Sequence, residues 1–251
     1  MLLSPVIYHC RHQNASGNAG GEERKYGRVF LFWKKEQDFG NLNKKQESTR
    51  DVMGKIVIGT GDALSITDVQ QDFLPGGALG VREGDQVIVP LNHVIELFHK
   101  KKSPIFFTRD WHPPNHMSFK EQGGPWPSHC VRNSPGARFH PDVQIPENAV
   151  IVSKADKKNI EEYSTFFARS QEGKTQKEML DQAEIRRFFI GGLATDYCVL
   201  NTVKDAREAG LEVYVLTDAI RAVDVNPGDG ATALKKMEKT GAKLITTELL
   251  A

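Results

Sequence analysis

From residue 60 onward the chain alternates short apolar runs with segments of helical period. The runs over 63–67, 104–109, 149–153, 187–190, 212–217 and 243–247 predict strands. Over 85–102, Val87, Leu91, Val94, Ile95 and Phe98 recur at helical spacing and predict an amphipathic helix. Further helices are predicted over 176–183, over 196–209 with Gly210 closing it, and over 227–240 with Gly241 closing it. Between the second and third strands, residues 111–148 read as a long loop rich in Pro, His and Gly. Six strands joined mostly by helical crossovers predict the α/β class, with a mainly parallel sheet and helices on both faces. No internal repeat is present.

Residues 1–59 break this pattern and read as a loosely ordered N-terminal extension to a main domain over 60–251. They contain the polar stretch 14–21 and one apolar run, 29–33, that predicts a single added strand. The extension carries 10 Lys/Arg against 6 Asp/Glu. The early His9, Arg11 and His12 cut short the opening apolar run, which excludes a secretory signal. The first 20 residues lack acidic side chains, as mitochondrial transit peptides do, but the stretch is short and poorly amphipathic. A cytoplasmic location is the expectation.

Composition narrows the function classes. With 33 basic and 32 acidic residues, no broad field favours nucleic acid or a membrane surface. No apolar run approaches the roughly 20 residues of a membrane span. Cys10, Cys130 and Cys198 are scattered, with no CxxC spacing, so neither a disulfide framework nor a cysteine zinc site is indicated. An intracellular, reducing compartment fits the scattered cysteines. A homo-oligomer is left open.

The chemistry-bearing residues fall at strand ends. In an open parallel sheet, ligands bind beyond the carboxyl ends of the strands. Asp68 ends the first strand, Asp110 and His112 the second, Lys154 the third, and the fourth runs through Gly191-Gly192 to Cys198. One crevice would therefore collect two acids, a lysine, a histidine and a cysteine. A helix capped by Thr195 or Asp196 would hold Cys198 in its first turn, where the helix N-terminus favours a thiolate; taken alone, Cys198 is better read as an inert buried thiol. Asp68 at an apolar strand end is expected to have a raised pKa and to exchange a proton with the thiol. Lys154 is either a buried partner of Asp68 on a neighbouring strand or a solvated loop lysine. Asp110, His112 and His129 make a two-histidine, one-carboxylate metal set, with His116 as a fourth ligand or a supporting group. The competing reading is a loop whose histidines only hydrogen-bond.

Five segments together resemble the nicotinamidase branch of the isochorismatase-like cysteine hydrolases, over roughly 61–250. They are Asp68-Val69-Gln70-Gln71-Asp72-Phe73 with Pro75-Gly76-Gly77, Thr108-Arg109-Asp110-Trp111-His112-Pro113, Trp126-Pro127-Ser128-His129-Cys130-Val131, Lys154 with Tyr163-Ser164-Thr165-Phe166, and Gly191 through Val199. Gln71 stands where Asn is usual and Ala155 where Gly is frequent. The resemblance implies a three-layer α/β/α fold and an Asp68, Lys154, Cys198 catalytic triad. It implies a divalent metal on Asp110, His112 and His129, zinc first, with iron or manganese as alternatives. It also implies a cis peptide at Leu193–Ala194 that aims the Ala194 and Cys198 N–H groups at an oxyanion. Phe73, Trp126 and Tyr163, with Tyr197 nearby, would wall a pyridine ring. The implied reaction is hydrolysis of nicotinamide to nicotinate and ammonia in NAD salvage. A ureido or carbamoyl amidohydrolase of the same fold is the first alternative. A non-catalytic binding protein is the second, and the intact triad argues against it.

Overall fold

The computed structural model describes residues 54–251. The expected strand over 29–33, the polar stretch 14–21 and Cys10 lie outside the described residues. Six strands form one sheet: β1 (Asp62–Thr67), β2 (Ile105–Asp110), β3 (Val150–Lys154), β4 (Arg187–Leu193), β5 (Glu212–Arg221) and β6 (Lys243–Ile245). Their order is β3-β2-β1-β4-β5-β6 and every pairing is parallel. Four helices flank it: α1 (Ile88–Lys100), α2 (Gln176–Gln182), α3 (Leu200–Glu208) and α4 (Asp229–Lys239). The expected three-layer α/β/α class holds. No described helix is long and apolar enough to cross a membrane.

Burial explains both the runs and the periods. All six residues of β1 are buried, as they must be in a central strand with helices on each face. On one face α1 presents Leu91, Val94, Ile95 and Phe98 to Leu64, Ile66, Phe107 and Phe189. On the other, Leu180, Val203, Ala206, Ala233 and Met237 of α2, α3 and α4 pack on Phe106, Phe188, Ile190 and Val213. α1 tolerates Pro90 because a first-turn residue has no helical N–H bond to lose, and His99 and Lys100 suit its negative end. Residues before position 60 also join this body. Ile56 N–H donates to Leu249 O at 2.7 Å, Ile58 N–H donates to Ala251 O at 2.9 Å, and Ile58 is buried.

The fourth strand and the helix after it differ from expectation. β4 runs on through both glycines to Leu193. Then Thr195–Val199 makes a single π-helical turn, and α3 begins only at Leu200. Neither Thr195 nor Asp196 caps that turn; Ala194 holds the cap position without a side-chain bond. Asp196 instead accepts the Val223 and Asp224 N–H groups, each at 2.9 Å, and ties the turn to the chain after β5.

Gly192 is what lets β4 reach this turn. It sits at φ +112°, where a side chain is strained, and a Cβ there would lie 2.1 Å from Thr67 O of β1. Gly192→Ala is therefore expected to destabilise the protein by about 2–4 kcal/mol in urea unfolding. A loss well below about 1 kcal/mol would contradict so tight an approach of β1 and β4.

Candidate active site

Crossovers from β1 run to one side and those from β4 to the other, so the crevice between these strands is the topological switch point. Asp68 follows β1 in the left-handed region, at φ 49°, and is fully buried. Thr108 Oγ1 donates to its Oδ1 at 2.7 Å. Its Oδ2 lies 3.0 Å from Lys154 Nζ but has no aligned hydrogen bond. Lys154 ends the edge strand β3, with β2 between it and β1. The expectation of a direct neighbour is thus corrected: Asp110 on β2 is the register partner of Lys154 and pairs with its ammonium, and Asp68 lies one strand farther. Lys154 Nζ also sits 3.4 Å from Cys198 Sγ. The structure therefore brings Asp68, Lys154 and Cys198 together, and rejects the solvated-lysine reading.

The charges of this cluster divide unequally. Burial alone would discharge Lys154, but Asp110 and Asp68 hold its pKa well above the ordinary value. Burial would also raise Asp110, yet Lys154 and His112 outweigh it and keep that carboxylate well below the usual range. Asp68 ends up raised, because burial exceeds the help it receives from Lys154. The Cys198 thiol is pushed well above its ordinary value by burial, more than Lys154 lowers it. Burial thus works against the thiolate that a helix N-terminus would favour. The Leu193–Ala194 peptide is cis.

The metal set assembles from the end of β2 and the long loop after it. Asp110, His112 and His129 are all buried, and one donor atom from each lies within 4.8 Å of the others. A parallel bridge between His112 and Val131 brings the two histidine segments side by side. His112 Nδ1 bonds Ala155 O at 3.1 Å and His129 Nδ1 bonds Pro127 O at 2.8 Å, which leaves each Nε2 as the lone-pair atom. His112 Nε2 is buried with no hydrogen-bond partner. An orphaned imidazole nitrogen beside a carboxylate fits a divalent cation. Phe119, fully buried, packs against the rings of His112 and His129. His116 is engaged elsewhere: its Nδ1 is 2.7 Å from Ser118 Oγ and its Nε2 is 2.9 Å from Ile160 O. It stacks on His112, ring centroids 4.2 Å apart, as a support rather than a donor in this set.

Beside these groups Phe73, Trp126, Tyr163 and Tyr197 line a pocket with Cys198, Asp110, His129 and Ala194. Trp126 Nε1 donates to Tyr163 Oη at 3.2 Å, and Tyr197 packs against both rings. The pocket holds about 430 Å³, part of it open to solvent. Leu79 and Val223 complete the wall and were not foreseen, since each arrives from a distant loop. Gln70 was also missed. Fully buried, it accepts the Asp110 N–H at 2.8 Å and donates to Asp110 O and Ala137 O, each at 2.9 Å. Its spacing of two from Asp68 was the available signal. Asp72 accepts the Cys130 N–H at 2.7 Å and so anchors the residue after His129. Gly136 must lack a side chain there, because its Cβ would fall 2.1 Å from Asp72 Oδ2.

The isochorismatase domain model matches residues 62–249. A nicotinamidase of Escherichia coli is 38% identical over 200 residues, covering 73% of this chain and 94% of that protein. A solved pyrazinamidase of Pyrococcus horikoshii in complex with zinc has TM-score 0.68 and 46% identity, covering 74% of this chain and 99% of that one. PnC1 from L. infantum in complex with nicotinate has TM-score 0.69 and 34% identity, covering 78% and 97%.

Two expectations follow from this geometry. Gln70→Leu removes two bonds to the Asp110 backbone and one to Ala137 O, so zinc affinity measured by competition with a coloured chelator is expected to fall about 10- to 100-fold; an unchanged affinity would show that Asp110 needs no such support. For the thiol, the ultraviolet thiolate band at neutral pH is expected to be the same in the metal-free protein and in its Cys198→Ala variant. A band lost with the substitution would mean that Lys154 wins over burial.

Proposed function

The chain belongs to the isochorismatase family, and on that premise we propose that it is a metal-dependent amidase hydrolysing nicotinamide to nicotinate and ammonia. The observation that carries this reading is the direct contact of Lys154 with both Asp68 and Cys198, beside the Asp110, His112 and His129 donors, in an aromatic pocket. The relatives' names supply the substrate; the geometry supports the chemistry.

In this proposal Asp68, its pKa raised by burial, takes the proton of Cys198. The sulfur attacks the carboxamide carbon, and the carbonyl oxygen gains the negative charge, which Ala194 and Cys198 N–H groups receive. Collapse of this adduct breaks the C–N bond. Asp68 returns its proton to the leaving nitrogen, so ammonia departs and a thioester remains on Cys198. A water then loses a proton to Asp68, its oxygen bonds the acyl carbon, and the sulfur leaves and is reprotonated. Lys154 stays charged throughout and fixes the distance between Asp68 and Cys198. Phe73, Trp126, Tyr163 and Tyr197 hold the ring so that the amide faces the sulfur. A divalent cation, zinc first and iron or manganese next, would be held by Asp110, His112 and His129 and supplies a Lewis-acid contact for the ring nitrogen. We assign the reaction to the cytoplasm, which the free thiols of Cys130 and Cys198 support.

Ammonia release from nicotinamide, compared with ureidoacrylate and carbamoyl substrates, tests the substrate. Cys198→Ala is expected to lower kcat by about 10⁴-fold or more. Thorough chelation is expected to abolish turnover and zinc to restore it. Near-normal turnover by Cys198→Ala, or preference for a carbamoyl substrate, would overturn the reading.

A further inference from the structure

One carboxylate at the pocket has no task in the chemistry above. Glu161 lines the pocket beside Tyr163, and it also borders the adjoining surface groove with Glu162 and Asp205. Its Oε1 accepts the Glu162 N–H at 3.1 Å. Among the described residues no lysine, arginine or histidine lies within ion-pair distance of it. Asp110, the other carboxylate on the pocket wall, is neutralised by Lys154. Glu161 is thus an acid without a counter-charge at a small, largely aromatic site.

The ligand's charge changes during turnover. The amide that enters is neutral, whereas the ring acid that leaves carries a carboxylate. A fixed negative charge on the wall acts on the second far more than on the first. A cation held by Asp110, His112 and His129 would attract the product carboxylate, and the Glu161 charge opposes that hold. We infer that Glu161 is a specificity-determining residue, which weakens the hold of the site on anionic ring carboxylates and so speeds release of the acid product. The inference rests on the amidase reading of this pocket.

The test uses the zinc-loaded full chain and reads the ratio of the nicotinate inhibition constant to the nicotinamide KM. Glu161→Gln keeps the shape and the acceptor for Glu162 N–H but removes the charge. It is expected to lower that ratio about threefold to tenfold at low salt. The difference from the unsubstituted protein should shrink at high salt, because a partly exposed charge is screened. Glu161→Asp retains the charge and should keep the original ratio. Glu161→Ala gives a second neutral variant and should shift the ratio in the same direction as Gln. An unshifted ratio in both neutral variants, an equal shift in Glu161→Asp, or a difference indifferent to salt overturns the inference. If the unsubstituted protein releases no ammonia from nicotinamide, the amidase reading falls and the inference with it. Normal release with an unshifted ratio tells against the inference alone.

Discussion

The buried ammonium of Lys154 is the constraint around which the rest of the site is arranged. A lone lysine with no solvent contact would lose its proton. Here Asp110 and Asp68 supply two carboxylates within ion-pair reach, and the ammonium stays charged. That requires three strand ends at one level. Parallel register provides it, since Asp110 faces Lys154 across β2 and β3, and Thr67 faces Thr108 across β1 and β2. Buried ion pairs repay their desolvation poorly as stabilisers. The value of this one lies in placement: it fixes an acid and a thiol 3.0 Å and 3.4 Å from one nitrogen.

The same lysine also separates two carboxylates that composition alone would treat alike. Asp110 has the closer contact to Lys154 and two histidines nearby, so it remains ionised and suits a cation. Asp68 is more deeply buried, its Oδ2 has no aligned hydrogen bond, and its pKa is raised. Opposite environments for paired acids are how a fold divides proton transfer from charge stabilisation. Burial pushes the Cys198 thiol the same way as the Asp68 carboxyl, toward the neutral form.

The long segment between β2 and β3 supplies what the strand ends lack. It has little regular structure, so side chains from the body hold it. Asp72 holds Cys130, Gln70 holds Ala137, and the bridge from His112 to Val131 sets the two histidines in reach of one point. Backbone carbonyls occupy each Nδ1 and so choose which nitrogen remains for a metal. The same loop delivers Trp126 to the pocket, where it meets Tyr163 and Tyr197.

Apolar runs and helical periods by themselves determined the α/β class, the strand succession and the collection of Asp68, Asp110, Lys154 and Cys198 at strand ends. These follow from local burial and from the rule that parallel strands present their carboxyl ends together. Residue types and spacing offered the metal set beside a reading of hydrogen-bonding loop histidines, and motif resemblance added the aromatic residues that line the pocket. Tertiary structure alone decided the strand order, and with it that Asp110 stands between Lys154 and Asp68. Only the fold could show that a π-helical turn carries Cys198, that Asp196 ties that turn to the chain after β5, and that Ser118 and Ile160 occupy both nitrogens of His116. It also revealed Gln70, which meets Asp110 across 40 residues, and Leu79 and Val223, which reach the pocket from loops. Periodicity records which side of an element is buried, but not which distant residue meets it; that is set by strand register and by loops whose hydrogen bonds leave no period in the chain.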